Sequence, residues 1–303
     1  MRIIMRATAA IMLMTLVAMF MGCKPEDPNN GGGNNGGNIN RLFSVSASQQ
    51  VYFSQGNLQY KASTNTWQFA AHQYDCIGDN NSNISQNYSN RIDLFGWGTS
   101  GWNCGNTYYR PWDSDYSNGS VYYSSGSLYG PPGQYNLTGT YANSDWGRYN
   151  AISNGGNQAN QWRTLTHEEW AYVFNTRTTS SGIRYAKAQV NNVNGVILLP
   201  DNWSTSTYSL SSTNQSGANC TSNVIGSSQW SILENAGAVF LPAAGYRYGT
   251  SVGNVGSYGY YWSASFYNAY LAWDVYFNSS DLGTDYSGLR CSGQSVRLVR
   301  SAQ

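Results

Sequence analysis

A helical hydrophobic period is strongly sustained in one place in this 303-residue chain: WRTLTHEEWAYVFNTR, Trp162 to Arg177. Trp170, Val173 and Phe174 recur at spacings of three and four, which puts them on one helix face. Thr166 stands where an N-cap belongs, and Glu169 completes a capping box. Glu168 and Glu169 fall in the first turn, where carboxylates suit the helix dipole. Leu165 can staple against Trp170. His167 reads as a first-turn residue and not as a general base, because no nucleophile is placed beside it. A second, shorter helix is expected over Ser228 to Ala236, with Trp230 and Leu233 facing inward. The remaining apolar runs are short and cut by Gly, Asn and Ser. The chain must therefore build most of its core from strands and turns.

The strands can be placed coarsely. FSVSASQQVYFSQGNLQYKAS reads as strand, turn at Gln55–Asn57 and strand, with TWQFA continuing the pattern. NGVILLP and AVFLPAAGYR each hold a buried strand. GYYWSAS and LAWDVYF look like two strands joined by a short link, and SVRLVR looks like a terminal strand. The long polar stretch Tyr108 to Asn160 is expected to pack on the body through its tyrosines and tryptophans. No tandem repeat and no linker after Asn40 divides the chain, so residues 41–303 are expected to form one domain. Charged residues make up only 10%, with 16 basic against 15 acidic, which argues against a nucleic-acid-binding groove.

The N-terminus gives an expected address. Arg2 and Arg6 precede the apolar segment Ala7 to Met21, which is signal-peptide length and too short to span a bilayer comfortably. It ends in FMGC. Residues 1–22 thus resemble a bacterial lipoprotein signal, with Cys23 the lipidated residue and Phe20 standing where Leu is more usual. The membrane would be reached through the lipid anchor only. Residues 23–40 are expected to be the lipidated Cys and a flexible Gly/Asn tether. Lys24, Glu26 and Asp27 resemble the acidic export tag of Bacteroidetes lipoproteins, which implies an outer-membrane protein exposed at the cell surface. Simple linker charge is the plainer alternative.

Cys76, Cys104, Cys220 and Cys291 permit two disulfides in three pairings, and the sequence does not choose among them. None forms a CxxC pair and there are two histidines, so no metal site and no cofactor are expected.

Six segments, DLFGWGTSGW, WRTLTHEEW, GVILLPDNW, LPAAGYR, GYYWSAS and SGQSVRLVR, resemble in their order the major paralogous domain lipoproteins of Bacteroidetes and Fibrobacter. The likeness covers Leu42 to Arg300. It implies an α+β, C-type-lectin-like fold with a mixed, mostly antiparallel sheet, few helices and long Gly/Asn-rich loops. In that likeness Trp162, Arg163, Thr166, Glu169, Trp170, Gly245, Arg247, Trp262, Trp273, Gly293 and Arg297 are scaffold. The same fold occurs in formylglycine-generating enzymes, whose chemistry needs a closely spaced cysteine pair. Cys220 and Cys291 are far apart in sequence, so no enzyme is expected. The fold also occurs in the variable proteins of diversity-generating retroelements. Much of the segment between WS and GQSVR is compatible with their adenine-directed codon menu; Trp273 is not.

Nine of the nineteen residues in GYYWSASFYNAYLAWDVYF are aromatic. In a strand, Leu271, Trp273 and Val275 share one face, and Tyr270, Ala272, Asp274 and Tyr276 share the other. Trp262, Leu271, Trp273 and Val275 are expected in the core, and Tyr270 and Tyr276 at the surface. Phe266, Tyr267, Asn268, Tyr270, Tyr276, Asn278 and Tyr286 are the expected ligand-binding residues, since Tyr combines large contact area with a polar handle. The expected partner is an unknown protein or glycan, bound by complementarity. A fixed subunit or tip component of an envelope or fimbrial assembly is the alternative.

Overall fold

The computed structural model describes residues 37–83, 85, 87–102 and 134–302. The signal segment, Cys23 and Cys104 lie outside the described residues. The fold is α+β, with few helices and mixed, mostly antiparallel sheets.

Three α-helices lie among the described residues: α1 (Trp146–Tyr149), α2 (His167–Ala171) and α3 (Ser227–Asn235). The capping box forms at α2. Thr166 Oγ1 accepts the Glu169 amide at 3.2 Å, and the Glu169 carboxylate accepts the Thr166 amide at 2.9 Å. The helix is shorter than its hydrophobic period. Arg163 forks onto Glu169 with two contacts of 2.6 Å, and the Thr164 amide donates to buried Asp145 at 2.6 Å, so the residues before the cap stay extended. Beyond Ala171 the coil widens into a π turn over Tyr172–Thr176, and the Arg177 amide reaches back to the Tyr172 carbonyl at 2.9 Å. Buried Arg177 then donates to the Val173 carbonyl and to Asp201, satisfying a helix-end acceptor.

Five sheets follow. One runs β1 (Phe43–Ser44), β2 (Gln50–Phe53), β16 (Leu298–Ser301) and β6 (Arg163–Thr164), so the last strand lies between early and middle ones. A second orders β10 (Val239–Pro242), β8 (Val193–Leu198), β7 (Tyr185–Val190) and β9 (Val224–Ile225); only β7–β9 is parallel there. The third is β4 (Thr66–Phe69), β3 (Leu58–Lys61) and β5 (Arg91–Ile92). A short ribbon pairs β11 (Tyr246–Tyr248) with β12 (Ser251–Gly253). The last sheet is β13 (Gly259–Phe266), β14 (Leu271–Phe277) and β15 (Leu282–Leu289).

The core between these sheets is aromatic-rich. Phe53, Trp170, Phe174, Tyr261 and Phe277 belong to one cluster, and Trp67, Trp97, Trp146, Trp162 and Trp262 to a second. Three of their indole N–H groups find backbone acceptors. Trp262 donates to the Phe95 carbonyl, Trp162 to Gly155 and Trp97 to Ser263, each at 2.7 Å. Of the expected scaffold residues, Trp162, Trp170, Arg247, Trp262 and Arg297 are all buried. Gly245 adopts φ +74°, and a Cβ there would stand 2.3 Å from the Gly253 carbonyl oxygen. Gly293 exchanges both backbone hydrogen bonds with Arg247.

Several expectations are corrected. The tether does not extend to Asn40: Ile39 is buried in the first core cluster and its amide bonds the Phe53 carbonyl. Residues 282–289, assigned to no strand from the sequence, form β15. Their Gly, Thr, Asp and Ser composition signals a turn, but pairing with β14 overrides it. Cys76 is disulfide-bonded and Cys220 is a buried free thiol, so the four downstream cysteines do not form the two disulfides they permit. Trp273 is half-buried and Leu271 is also partly exposed, so neither is core. Burial changes sides along β14: Ala272 and Asp274 are the buried residues of its first half, and on the expected core row only Val275 and Phe277 are buried.

Trp262→Ala would leave an indole-sized void and remove one of the two donors to the Phe95 carbonyl, which keeps the Gln294 amide. The expected loss is about 3–5 kcal/mol, measured as a shift in the urea unfolding midpoint at constant m.

Candidate ligand-binding site

The second face of β14 carries Ala272, Asp274 and Tyr276. Cross-strand pairing sets Tyr260 of β13 opposite Tyr276, and Tyr286 of β15 opposite Asp274. A register shift between Asp274 and Tyr276 adds one residue to β15, a bulge that re-aims the strand. Tyr246 of β11 closes another side. The result is a hollow of about 340 Å³ walled by Tyr246, Tyr260, Tyr276 and Tyr286, with Asp274 and Gln294 also lining it.

The rings brace one another. Centroids are 5.7 Å apart for Tyr246 and Tyr260, 5.2 Å for Tyr260 and Tyr276, and 4.7 Å for Tyr276 and Tyr286. Interplanar angles of 77°, 47° and 49° make these rings tilted walls and not a flat stack. One amide donor and one carboxylate acceptor orient the phenols from outside. Asn278 Nδ2 donates to the Tyr276 hydroxyl at 2.6 Å while its Oδ1 accepts the Ser280 and Asp281 amides; the Tyr286 hydroxyl donates to the Asp281 carboxylate.

Asp274 is 3% exposed. Its Oδ2 accepts from Gln294 Nε2 at 2.7 Å, and its Oδ1 has no hydrogen-bond partner. Gly288 permits this pairing: a Cβ there would lie 2.2 Å from Gln294 Nε2 and 2.9 Å from Asp274 Oδ2. Burial raises the Asp274 carboxyl to about 7, against the lowering effect of the Gln294 hydrogen bond. Burial also pushes Tyr260 up to about 12 and raises Tyr276; at Tyr286 the hydrogen bond to Asp281 is the larger cause of a rise. Tyr260, Tyr276 and Tyr286 are therefore neutral phenols at physiological pH, beside a carboxyl that titrates there.

The expected ligand-binding residues divide between two places. Tyr276 and Tyr286 line the hollow, and Asn278 orients Tyr276 without lining it. Phe266, Tyr267, Asn268 and Tyr270 lie at the β13–β14 link. Asn268 spends its Oδ1 on the Tyr270 and Leu271 amides, while Phe266 packs on the second core cluster. Tyr267 and Tyr270 are exposed. Tyr267 stands edge-on to Trp273, whose other contact is a parallel stack with His167 at 4.3 Å. His167 Nε2 in turn lies 2.9 Å from Asp285. This link is held from below by Arg290, which donates to the Asn268 carbonyl at 2.7 Å and covers the Trp97 ring.

Tyr246, Tyr260, Asp274 and Gln294 were not among the expected binding residues. Asp274 was legible as an acidic residue on the same face as Tyr276, and that pairing was the available signal. Tyr246 and Gln294 come from elements whose approach only tertiary structure reveals. A larger hollow of about 550 Å³ includes Tyr52, Arg148, Arg163 and Arg300. Its arginines are engaged: Arg163 with Glu169, Arg148 with Asn160, and Arg300 over the Tyr52 and Trp162 rings. The tyrosine hollow is the better candidate because it holds a buried acceptor that the fold leaves unpaired.

Asp274 keeps its proton in the folded state where the unfolded chain, at an ordinary carboxyl value of about 3.9, has lost it. Stability contributed by the neutral acid is therefore present at low pH and declines as pH rises from about 4 to about 7, by up to ~1.4 kcal/mol per pH unit. Asp145, raised by burial to about 6, acts with the same sign. Asp274→Asn is expected to flatten the decline partly, read from urea midpoints between pH 4 and pH 8. An unchanged slope would remove Asp274 from the account.

Comparison of the chain with family models, with curated proteins and with solved structures finds no match.

Proposed function

We propose that the protein is a lipid-anchored receptor of C-type-lectin-like fold, displayed on the outer membrane, which binds a protein or glycan through its Tyr-rich C-terminal face. The observation that carries this reading is the hollow between Tyr246, Tyr260, Tyr276 and Tyr286, with a buried acceptor left over at Asp274. Amphipathic rings braced by neighbours lose little side-chain entropy on contact, so such a face is prepared to bind. The protein acts by complementarity and apolar burial around aromatic anchors, without chemistry on its ligand.

The C-type-lectin-like assignment draws support from the six ordered segments and from the position of SGQSVRLVR, whose strand closes a sheet with an early one. The anchoring draws on FMGC after a basic start and an apolar segment. The retroelement version adds that the same face is diversified between copies. Tyr267, Tyr270 and Tyr286 suit that version, being exposed residues on the menu of adenine-directed change.

A ligand screen on glycan and protein arrays tests the face. Tyr276→Ser with Tyr286→Ser is expected to weaken a saturable ligand at least tenfold, while the folded pair Tyr267→Ser with Tyr270→Ser reports on the β13–β14 link. Unchanged binding in both folded double variants would move the site off this sheet. The anchor is tested separately: Cys23→Ala is expected to move the protein out of the membrane fraction and abolish palmitate labelling.

A further inference from the structure

We infer that the tyrosine hollow takes the ammonium group of a small organic cation, with the rings as walls and Asp274 as the counter-charge. This rests on reading the Tyr-rich face as a binding site, and it names the chemical class that face selects.

Three observations point to a cation. The residues that line the hollow include no Lys, Arg or His, so nothing there repels a positive group. Asp274 is the lining acid, is almost fully buried, and leaves Oδ1 without a hydrogen-bond partner. A second carboxylate, Asp281, accepts the hydroxyl of the wall residue Tyr286. A buried acceptor without a donor costs free energy that a ligand N–H can recover.

The walls fit the same class. An ammonium is attracted to the face of an aromatic ring by its quadrupole, and more strongly where water is excluded. Rings tilted at 47–77° to one another offer faces from several directions. A sugar ring would instead favour one flat platform flanked by several hydrogen-bonding side chains. Gln294 spends its Nε2 on Asp274, and the atoms this pair leaves unpartnered, Asp274 Oδ1 and Gln294 Oε1, are both acceptors, which suits a ligand N–H. The volume, about 340 Å³, is at the small end of the range of about 300–1,000 Å³ typical of ligand pockets. The phenols stay neutral, so the cage holds its quadrupoles and adds no competing titration near neutrality. Asp274, titrating near 7, ionises readily when a cation arrives.

Calorimetric titration of the full chain tests the inference. The probes are methylammonium, choline and 3,3-dimethylbutan-1-ol, the neutral isostere of choline. Glucosamine and N-acetylglucosamine form a second pair that separates an amine carried on a sugar from the sugar itself. Both ammonium probes are expected to saturate, with the isostere at least tenfold weaker and glucosamine tighter than N-acetylglucosamine. Asp274→Asn and Tyr286→Leu are each expected to weaken choline at least tenfold. Tyr286 is exposed, so its variant keeps the test decisive if Asp274→Asn does not fold. Equal binding of choline and its isostere, or of the two sugars, overturns the ammonium assignment and leaves the face a binding site. Absence of saturation by every ammonium probe also overturns it, and the array screen of Tyr276→Ser with Tyr286→Ser then decides the wider reading independently.

Discussion

The fold hangs on one short segment, Gly293 to Leu298. Gly293 exchanges both backbone hydrogen bonds with Arg247, Gln294 does the same with Phe95, and Ser295 accepts from Trp262 while donating to Tyr260. The Leu58 amide then bonds the Val296 carbonyl, and the Ser54 amide that of Leu298. Six consecutive residues thereby join β2, β3, β11, β13 and the Phe95 turn, elements from four sheets. Arg297 does the same with its side chain. Its guanidinium is fully buried and donates to Gln73 at 2.5 Å and to the Phe240 carbonyl at 3.3 Å, while Gln73 accepts the Phe240 amide and donates to Ala238. Asn57 extends the network to Tyr261, whose hydroxyl reaches Pro242. A buried cation without a carboxylate partner is expensive, and burial lowers Arg297 to about 10. The fold tolerates it because these carbonyl and amide oxygens replace water.

The candidate site inherits its geometry from that segment. Gln294 holds Asp274 with its side chain while its backbone is pinned to Phe95, so the carboxyl is positioned by the same bonds that join the sheets. Ser295 fixes the Tyr260 end of β13, and Gly293 fixes Arg247 next to Tyr246. Three of the contributing strands are therefore located by one stretch of chain. The rings above can vary in identity without disturbing that support, because they brace one another and not the core.

What the sequence disclosed follows from which interactions are local. The capping box at Thr166 and Glu169, the inward Trp230 and Leu233 of α3, and the separation of β14 into two faces all depend on residues within a few positions of one another. They could be read. The depth of each face could not, because burial depends on what arrives from elsewhere. Trp273 shares a face with Val275, yet it packs on the rings of His167 and Tyr267 and is only half-buried. The β15 strand was hidden for a related reason: LGTDYSGL has weak intrinsic strand preference, and β14 supplies the template. At the site, Tyr276 and Tyr286 were legible from their aromatic context. Asp274 became meaningful only once Gln294, twenty residues on, was seen to occupy one of its oxygens and leave the other.

Asp274 is also hard to explain as a structural residue. A side chain meant only to hold Gln294 would serve as well uncharged: Asn offers the same acceptor without the cost of burying an ionisable group. An apolar residue of similar size would suit a position 3% exposed still better, since replacing buried charge with packed apolar groups is often neutral or stabilising. Gly288 makes the point sharper, because its missing Cβ is what leaves space for the carboxyl and the amide to meet. The fold thus gives up a side chain on β15 and bears the burial of an acid on β14, in a hollow that opens to tyrosines. Stability alone accounts for neither choice, whereas a ligand that brings a hydrogen-bond donor and a positive charge accounts for both.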